Sequence, residues 1–543
     1  VFTSALPMEQ SDDTVKPFGE LEYAVTQTPQ VALDHQVYEM AGVLMLSWDV
    51  VDEAFPEGMI QTMFDAYLSL LQSLSVTEAW AQPSVLAGAS GQYDYDLYLG
   101  QSVAEFSIGS VVKSASEPLS EDEVWLADCL SAILEVDNVD INTPFFTLGG
   151  DSLKATEFIG KIKAHYQCEL PLSAIFGETG TVHQIAMLLP NAELVEHYHI
   201  AKVDRNQVLP LSLAQARLWF FQQWHAANTA YHIPGAVLIE GELSVEALDQ
   251  SILAIIQRHE ILRSVYVAVD GQPVLSVLPP LRSLVVVEDL SHFAKGRRQR
   301  MLDKRLQAVA SEPFNLEKGP LLRTNLFKLD ANVHVFLITF HHIVADGWSL
   351  GCFMAEMSTA YEQIVRGDAV SLPVLPIQYI DYAAWQQANL LSNEQLQRSV
   401  DYWRAYLEGA ETLLLPTDFT RPTVQSYQGK RWAFELPNGL TSQLEKFSQQ
   451  QKTTLFTVLL GGFHILLYRF SQQTDFCVGT PVAGREHPGI TNLMGYFVNT
   501  SVSRASIHPA DSSVSYLQRL HQSLMANDAT EKMPFEQLLE VLN

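Results

Sequence analysis

The sequence predicts a multidomain protein of mixed α+β character, in which a compact four-helix unit is set between segments carrying both strand and helix patterns. Three observations predict it. A chain of 543 residues is too long for one hydrophobic core. Composition breaks at residues 79–118, where Ala87-Gly88-Ala89-Ser90-Gly91 and Tyr93-Asp94-Tyr95-Asp96 show no sustained period and read as a linker. Periodicity also switches, since residues 119–190 are helical alone while the flanks mix alternation with helical stripes.

Residues 1–78 read as two strands and a helix. Val31–Glu39 and Gly42–Asp49 alternate as strands around a turn at Met40-Ala41, and Pro56-Glu57-Gly58 starts a helix whose stripe includes Met59, Met63, Tyr67 and Leu71. Asp34 and His35 are expected to be polar strand residues with no catalytic role. In 119–190, Ser120 followed by Glu121-Asp122-Glu123 is a helix start with acids in the first turn. A second helix runs from Ser152 through Phe158 and Ile162. A short third helix spans Leu172 to Phe176, and Thr181 caps a fourth. Ser152 follows Leu148-Gly149-Gly150-Asp151, and on pattern alone it is equally a plain helix cap and an attachment site at a terminus that favours anions. Residues 191–206 form a short polar connector.

Beyond residue 206 the informative stretch is Phe340-His341-His342-Ile343-Val344-Ala345-Asp346-Gly347-Trp348-Ser349. Val335, Phe336, Ile338 and Phe340 mark a strand that delivers two histidines to its end, where Asp346 and Gly347 break into a turn. Histidine exchanges a proton near neutral pH, so this is a candidate acid–base site. An ordinary polar strand end is the competing reading. A metal site is not expected, because adjacent strand residues face opposite ways.

Charge is uneven. Residues 1–200 carry 30 of the 62 acidic side chains and only 5 of the 33 basic ones. That excess argues against nucleic acid or an anionic membrane as a partner there. It serves either solubility or an acidic mobile module that docks on less acidic neighbours. No apolar run of about 18 residues offers a membrane span. Cys129, Cys168, Cys352 and Cys477 fit neither a disulfide framework nor zinc spacing, so a reducing cytoplasm is expected. Val1 opens without the pattern of a secretory signal.

The histidine stretch resembles the His-His-x-x-x-Asp-Gly motif of condensation domains in nonribosomal peptide synthetases. Leu209–Trp219, Arg258–Arg263, Tyr379–Gln386, Gly495–Thr500 and Met533–Leu539 resemble that family's other motifs, in the same order. Residues 119–190 are similar to a peptidyl carrier protein through Leu148–Leu153. Residues 1–78 resemble the C-terminal part of a condensation or heterocyclisation domain.

The resemblance implies a carrier bundle (119–190) and a condensation domain (207–543). The latter is expected to have two lobes like chloramphenicol acetyltransferase, with a tunnel loaded by carriers from opposite faces. It implies 4′-phosphopantetheine on Ser152, installed by a phosphopantetheinyl transferase, and an adenylation domain, which this sequence lacks, as a partner. An upstream or downstream carrier, or a free amine, would supply the acceptor for amide formation.

His342 is implied as base or orienter of the amine, and the Gly347 amide as a stabiliser of oxyanion charge. Asp346 is implied as structural and ion-paired to Arg485. His341 and Arg263 are implied as structural at the site, and Trp348 and Asn499 as tunnel candidates, with core packing the competing reading for Trp348. A catalytically silent carrier-docking scaffold and an acyltransferase using free coenzyme A thioesters are the alternatives. The fused carrier speaks against the second. The tail at 1–78 implies a neighbouring ring-forming step, as in siderophore assembly.

Two departures carry expectations of their own. The polar run Thr500–Arg504 is expected to face solvent. Residues 205–543 are expected to hold a whole first lobe and an incomplete second, which residues 1–78 of another copy would complete.

Overall fold

The computed structural model describes residues 2–4, 20–24, 33–40, 43–50, 55, 58–74, 120–134, 136, 139–145, 148, 158–162, 165–166, 168–170, 174–175, 180–191, 193–194, 200–224, 228–269, 271–390, 394–416, 430–485, 487–508, 510–528, 530, 533–535 and 537–538. The linker expected at 79–118, the turn at Met40-Ala41 as a whole, the Ser152 helix start and most of the Leu172–Phe176 helix lie outside them.

The N-terminal part holds β1 (Phe2–Ser4), β2 (Glu20–Ala24), β3 (Leu33–Met40), β4 (Val43–Val50) and α1 (Met59–Leu74). The β3–β4 hairpin follows the alternation in the sequence, and α1 begins after Gly58, whose φ of 83° suits glycine. The carrier contributes α2 (Glu121–Leu134), β5 (Cys168–Glu169), α3 (Val182–Leu188) and β6 (Glu193–Leu194). Ser120 and Glu123 cap α2 reciprocally: the Glu123 N–H donates to Ser120 Oγ (3.1 Å) and the Ser120 N–H to Glu123 Oε2 (2.8 Å). Thr181 caps α3 by accepting from the Gln184 N–H. Leu126, Leu130, Phe145, Phe158, Ile162, Ile175 and Ile185 make the carrier's own core.

The first lobe runs through α4 (Leu213–Trp224), β7 (His232–Glu240), α5 (Val245–Arg258), β8 (Ser264–Val269), β9 (Gln272–Val277), β10 (Val285–Asp289), α6 (Lys295–Ala310), β11 (Leu322–Asp330), β12 (Val333–His341), α7 (Gly347–Arg366) and α8 (Tyr379–Leu390). Its sheet has the order β10-β11-β12-β7-β2. Central β12 is apolar on both faces, as a doubly covered strand must be. Val335 and Leu337 face α6, which buries Leu302 and Val309, and Phe336, Ile338 and Phe340 join the larger core with α5 and α7.

The second lobe holds α9 (Glu394–Leu407), β13 (Lys430–Glu435), α10 (Asn438–Gln450), α11 (Leu455–Ser471), β14 (Asp475–Val482), β15 (Asn499–Ser506) and α12 (Ser513–Asp528).

Residues from the N-terminal part enter both lobes of the same chain. β2 pairs antiparallel with β7 as the fifth strand of the first sheet, and β4 pairs with β13 in a sheet of order β1-β3-β4-β13. Trp48, Met63, Tyr67 and Leu71 pack with Leu459, Phe463 and Leu517, and the Tyr67 hydroxyl donates to the Leu459 carbonyl (3.1 Å). Each such buried side chain contributes about 1.5–3 kcal/mol. This corrects two expectations: no second copy is needed to complete the second lobe, and the first lobe is not whole without β2.

His35 is part of that packing. It accepts from Trp48 Nε1 at Nδ1 (2.8 Å), its Nε2 lies 3.1 Å from the Tyr67 hydroxyl, and burial lowers its pKa to about 3. If a protease site is placed within 79–118 and cut, the N-terminal piece is expected to co-elute with the rest in size exclusion. Separation of the two pieces without denaturant would contradict this packing.

Two further expectations fail. Ser501, Val502 and Ser503 on β15 are buried, because the strand pairs with β14 and its polar groups face the protein. The connector is also shorter than 191–206. Leu194 pairs with Cys168 in the carrier, whereas Ile200 is buried in the first-lobe core. Arg205 then donates to Asp381 (2.7 Å) and Glu260 (2.7 Å), and the Val203 N–H donates to Asp381 (2.9 Å).

Candidate functional site

β12 lies between β11 and β7, and its last residues aim the two histidines apart. The His341 N–H donates to the Leu321 carbonyl (2.9 Å) and the His342 N–H to the Tyr231 carbonyl (2.8 Å), which fixes the strand end. His341 is fully buried beside Phe314 and His232, its cross-strand partner. Its Nδ1 accepts from the Ile343 N–H (3.1 Å), and burial pushes its pKa well down. It packs the strand end and makes no contact with the open side.

His342 is only half-buried. Its Nδ1 lies 3.1 Å from the Ala345 carbonyl, and a carbonyl can only accept, so Nδ1 carries the proton. Nε2 therefore keeps its lone pair, the form that accepts a proton. The Tyr496 ring stands edge-on to the imidazole, with centroids 5.3 Å apart. Desolvation lowers the His342 pKa, against smaller opposing pulls from the Asp346 carboxylate and the Ala345 bond. Gly347 is exposed at the first position of α7, where a backbone N–H has no intrahelical acceptor, and a Cβ there would meet nothing within 4 Å.

Asp346, 1% exposed, caps α7 and ties it to the crossing between β14 and β15. Its Oδ1 accepts from the Ser349 N–H (2.8 Å), its Oδ2 from the Phe497 N–H (3.2 Å), and Arg485 Nη2 lies 3.1 Å from Oδ1. Arg485 Nη1 donates to the carbonyls of Ile490 (2.9 Å) and Leu493 (2.7 Å), and the guanidinium lies over Phe497, 4.1 Å from its centroid. The Ser349 hydroxyl lies 2.6 Å from Asp346 Oδ1 and accepts from the Gly495 N–H (3.1 Å).

Gly484 makes this approach possible. Its φ is 62°, and a Cβ would stand 2.1 Å from the Phe497 carbonyl oxygen. Gly484→Ala is therefore expected to destabilise the chain by about 1–3 kcal/mol, measured by chemical denaturation. An unchanged midpoint would mean the crossing can shift.

The motif residues around the histidines form one buried polar network. Gln215 Nε2 donates to the Ile343 carbonyl (2.8 Å) and the Tyr266 hydroxyl (2.8 Å). The Tyr379 hydroxyl donates to the Tyr496 carbonyl (2.6 Å) and lies 2.9 Å from Ser212 Oγ. Sequence reasoning does not single out Ser349, Gln215 and Tyr496 as site residues. Their signal is membership of the same motifs, and nothing in sequence tells which motif members converge.

The structure brings His342, Gly347, Asp346 and Arg485 together. Arg263 is elsewhere: its Nη1 donates to the Leu278 carbonyl (2.8 Å) and its Nη2 lies 4.0 Å from Glu260, so it braces the β8–β9 hairpin and not the histidines. Trp348 donates from Nε1 to the Thr491 carbonyl (3.0 Å), and Asn499 holds the 533–535 segment through the Met533 carbonyl and the Phe535 N–H. Both serve packing. Ser152 lies outside the described residues. The chain on both sides of it is anchored, since Phe145 and Phe158 are buried with their rings 6.3 Å apart. A serine hydroxyl has the chemistry to carry 4′-phosphopantetheine through a phosphodiester.

The family model described as Condensation domain matches residues 205–543, and the one described as Phosphopantetheine attachment site matches residues 124–189. One of the linear gramicidin synthase proteins of Brevibacillus parabrevis is 38% identical over 429 residues, which is 78% of this chain and 6% of that protein. Malpibaldin synthetase of Mortierella alpina is 31% identical over 549 residues, 98% of this chain and 10% of that protein. The chain thus spans a small fraction of the curated relatives it matches.

Among solved structures, the first condensation domain of the calcium-dependent antibiotic synthetase, in complex with a substrate analogue, matches with a TM-score of 0.53 at 22% identity, covering 63% of this chain and 79% of that one. The X-domain from teicoplanin biosynthesis, in complex with OxyB, matches with a TM-score of 0.59 at 23% identity, covering 64% and 76%. These neighbours share the two-lobed fold. With the histidine motif, the ion pair beneath it and more than half of its length matched, the chain belongs to the condensation-domain family and carries a phosphopantetheine-attachment domain ahead of it.

Proposed function

We propose that this chain forms amide bonds in nonribosomal peptide synthesis by transferring an acyl group from a carrier-held thioester to an amine. The observation that carries this reading is the His342 imidazole, held by the Ala345 carbonyl so that Nε2 is an unprotonated acceptor, with Gly347 exposed at the start of the helix that follows. 4′-Phosphopantetheine on Ser152 supplies the thiol that holds the acyl group. His342 Nε2 orients the amine and takes its proton as nitrogen attacks the carbonyl carbon, and the Gly347 N–H faces the charge that develops on the carbonyl oxygen. The leaving thiolate takes up a proton as the amide forms.

The test is a single-turnover assay. After treatment with a phosphopantetheinyl transferase and acyl loading, mass spectrometry is expected to find the arm on Ser152 and, once an amine is added, an amide product. Ser152→Ala is expected to abolish both. Product from free coenzyme A thioesters with the Ser152→Ala chain would favour the free-acyltransferase reading.

The pH dependence has a definite sign. Burial holds the His342 pKa below its ordinary 6.5, so the base form is resident at neutral pH and protonation removes activity only as pH falls below that value. With a weakly basic amine as acceptor, the rate is expected to stay level from about pH 8 to the ordinary histidine value. A fall by half already near pH 7 would contradict the desolvated setting.

The partners we propose are an adenylation domain acting from elsewhere, a phosphopantetheinyl transferase, and a second carrier or free amine as acceptor. We also place the chain in the cytoplasm, a reading supported by four cysteines that form no disulfide among the described residues. Siderophore assembly is proposed as the setting on the heterocyclisation-like tail alone. Deletion of the gene with iron-limited growth unchanged would remove it.

A further inference from the structure

Helix α4 opens on Ser212-Leu213-Ala214-Gln215, and the two ends of that run cap it reciprocally. The Gln215 N–H donates to Ser212 Oγ (3.1 Å) and the Ser212 N–H to Gln215 Oε1 (3.1 Å). A glutamate in the fourth place would cap as well, so capping alone does not account for glutamine. The amide nitrogen accounts for it. The Ser212 N–H can only donate, which fixes the amide oxygen. Nε2 is left to donate to the Ile343 carbonyl and the Tyr266 hydroxyl, each 2.8 Å away. A carboxylate has no proton to give there, and Gln215 is fully buried.

The Ile343 carbonyl lies in the turn that carries His342. It accepts from Gln215 and from the Tyr266 hydroxyl (3.2 Å), so two buried donors hold the peptide between Ile343 and Val344 in one orientation. The N–H of the same peptide, on Val344, donates to the His341 carbonyl (3.0 Å), and the next, on Ala345, to the His342 carbonyl (3.3 Å). These bonds curl the chain back and bring the Ala345 carbonyl to 3.1 Å from His342 Nδ1. Were the Ile343 carbonyl freed to turn over, the Val344 N–H would leave His341 with it, because both groups belong to one rigid plane. The Ala345 carbonyl would then lose its aim.

A second arm leaves the same cap. Tyr379 has one hydroxyl proton and gives it to the Tyr496 carbonyl (2.6 Å), so the Ser212 hydroxyl, 2.9 Å away, donates to the Tyr379 oxygen. Tyr496 is the residue whose ring stands edge-on to His342. One capping box thus steadies His342 through both its backbone turn and its ring.

We propose that Gln215 is a positioning residue for acyl transfer: it holds the Ile343 carbonyl, and with it the turn that aims the Ala345 carbonyl at His342 Nδ1, so that the lone pair stays on Nε2. Neutral histidine in water favours the proton on Nε2, and the hydrogen bond at Nδ1 is what reverses it. Tyr266 is the second donor in the same part. The role rests on the acyl-transfer reading for its purpose, but the imidazole can be observed with no substrate present.

The experiment uses nuclear magnetic resonance on the full chain with isotopically labelled histidine nitrogens, at about pH 8, where histidine is neutral. The His342 signals are those missing from His342→Ala. They are expected to show a protonated Nδ1 and an unprotonated Nε2. Gln215→Met keeps the length of the side chain and removes the amide. It is expected to turn these signals into the average of two exchanging tautomers, and to slow single-turnover amide formation about tenfold. Tyr266→Phe is expected to move both readouts the same way by less. Ser244→Ala supplies the structural comparison. It removes a cap of the same kind from α5, where the Ser244 side chain accepts from the Ala247 N–H (3.2 Å), and is expected to lower the unfolding midpoint with tautomer and rate unchanged.

A folded Gln215→Met chain in which Nδ1 stays protonated overturns the role of Gln215, and so does a mixed tautomer with an undiminished rate. The same shift in Ser244→Ala also overturns it, since it would then be a symptom of lost stability. If Gln215→Met does not fold, Tyr266→Phe decides on the same terms, because it removes one of the two donors to the Ile343 carbonyl. A wild-type imidazole protonated on Nε2 overturns the role at the outset. A wild-type chain with the expected tautomer, lost in Gln215→Met, that makes no amide overturns the acyl-transfer reading and leaves the hold on His342 standing.

Discussion

Replacing His342 by alanine is expected to lower the single-turnover rate of amide formation by about 10²–10⁴, the range that a positioned base supplies. The fold is expected to tolerate the change, because the side chain is half-buried and its hydrogen bond among the described residues is local, to the Ala345 carbonyl. His341→Ala makes the contrast. That ring is fully buried against Phe314 and His232, so its removal opens a cavity and is expected to destabilise the first lobe by about 2–4 kcal/mol. Thermal unfolding and rate, measured on both variants, separate the roles. A His342→Ala chain that keeps its full rate would leave positioning alone, or carrier docking alone, as the work of this fold.

The second large effect is expected from Arg485→Met. Asp346 and Arg485 are 1% and 3% exposed in their side chains, and their ion pair joins the start of α7 to the β14–β15 crossing. Removing one partner of a buried pair leaves the other charge uncompensated, a loss of about 3–5 kcal/mol. Asp346 keeps the N–H donors of Ser349 and Phe497, which places the expectation at the lower end of that range.

Asp346→Asn strands the guanidinium in turn, although the carbonyls of Ile490 and Leu493 still accept from it. The double variant is expected to be more stable than the sum of the single losses implies, by at least about 1 kcal/mol. Strict additivity in chemical denaturation would show that the pair is not coupled.

The parts of this structure legible in sequence are those fixed within a few residues. The alternation of β3 and β4, the Ser120–Glu123 reciprocal cap, the Thr181 cap and the break from β12 into α7 at Asp346 all rest on neighbours along the chain. What is illegible depends on partners far away. Nothing in Glu-Leu-Glu-Tyr-Ala announces that β2 adds to β7 more than 200 residues later. The polar run at 500–504 hides its burial for the same reason, since the groups that cover it belong to other elements. Arg263 sits in a motif with catalytic company, yet its bond to Leu278 places it on a hairpin brace. In the site, the motifs revealed which residues matter and the fold revealed which of them touch.

The pairing of β4 with β13 also sets a timetable for synthesis. Val50 leaves the ribosome about 380 residues before its partner Lys430, a wait of roughly 20 to 80 s at 5–20 residues per second. Throughout that interval a hairpin bearing Leu46 and Trp48 has an open edge and only α1 to cover its apolar face, the condition in which nascent strands cross-pair with those of neighbouring polysomes. Slower elongation or high expression should therefore drive this chain into insoluble material earlier than a condensation fold whose strands emerge close together.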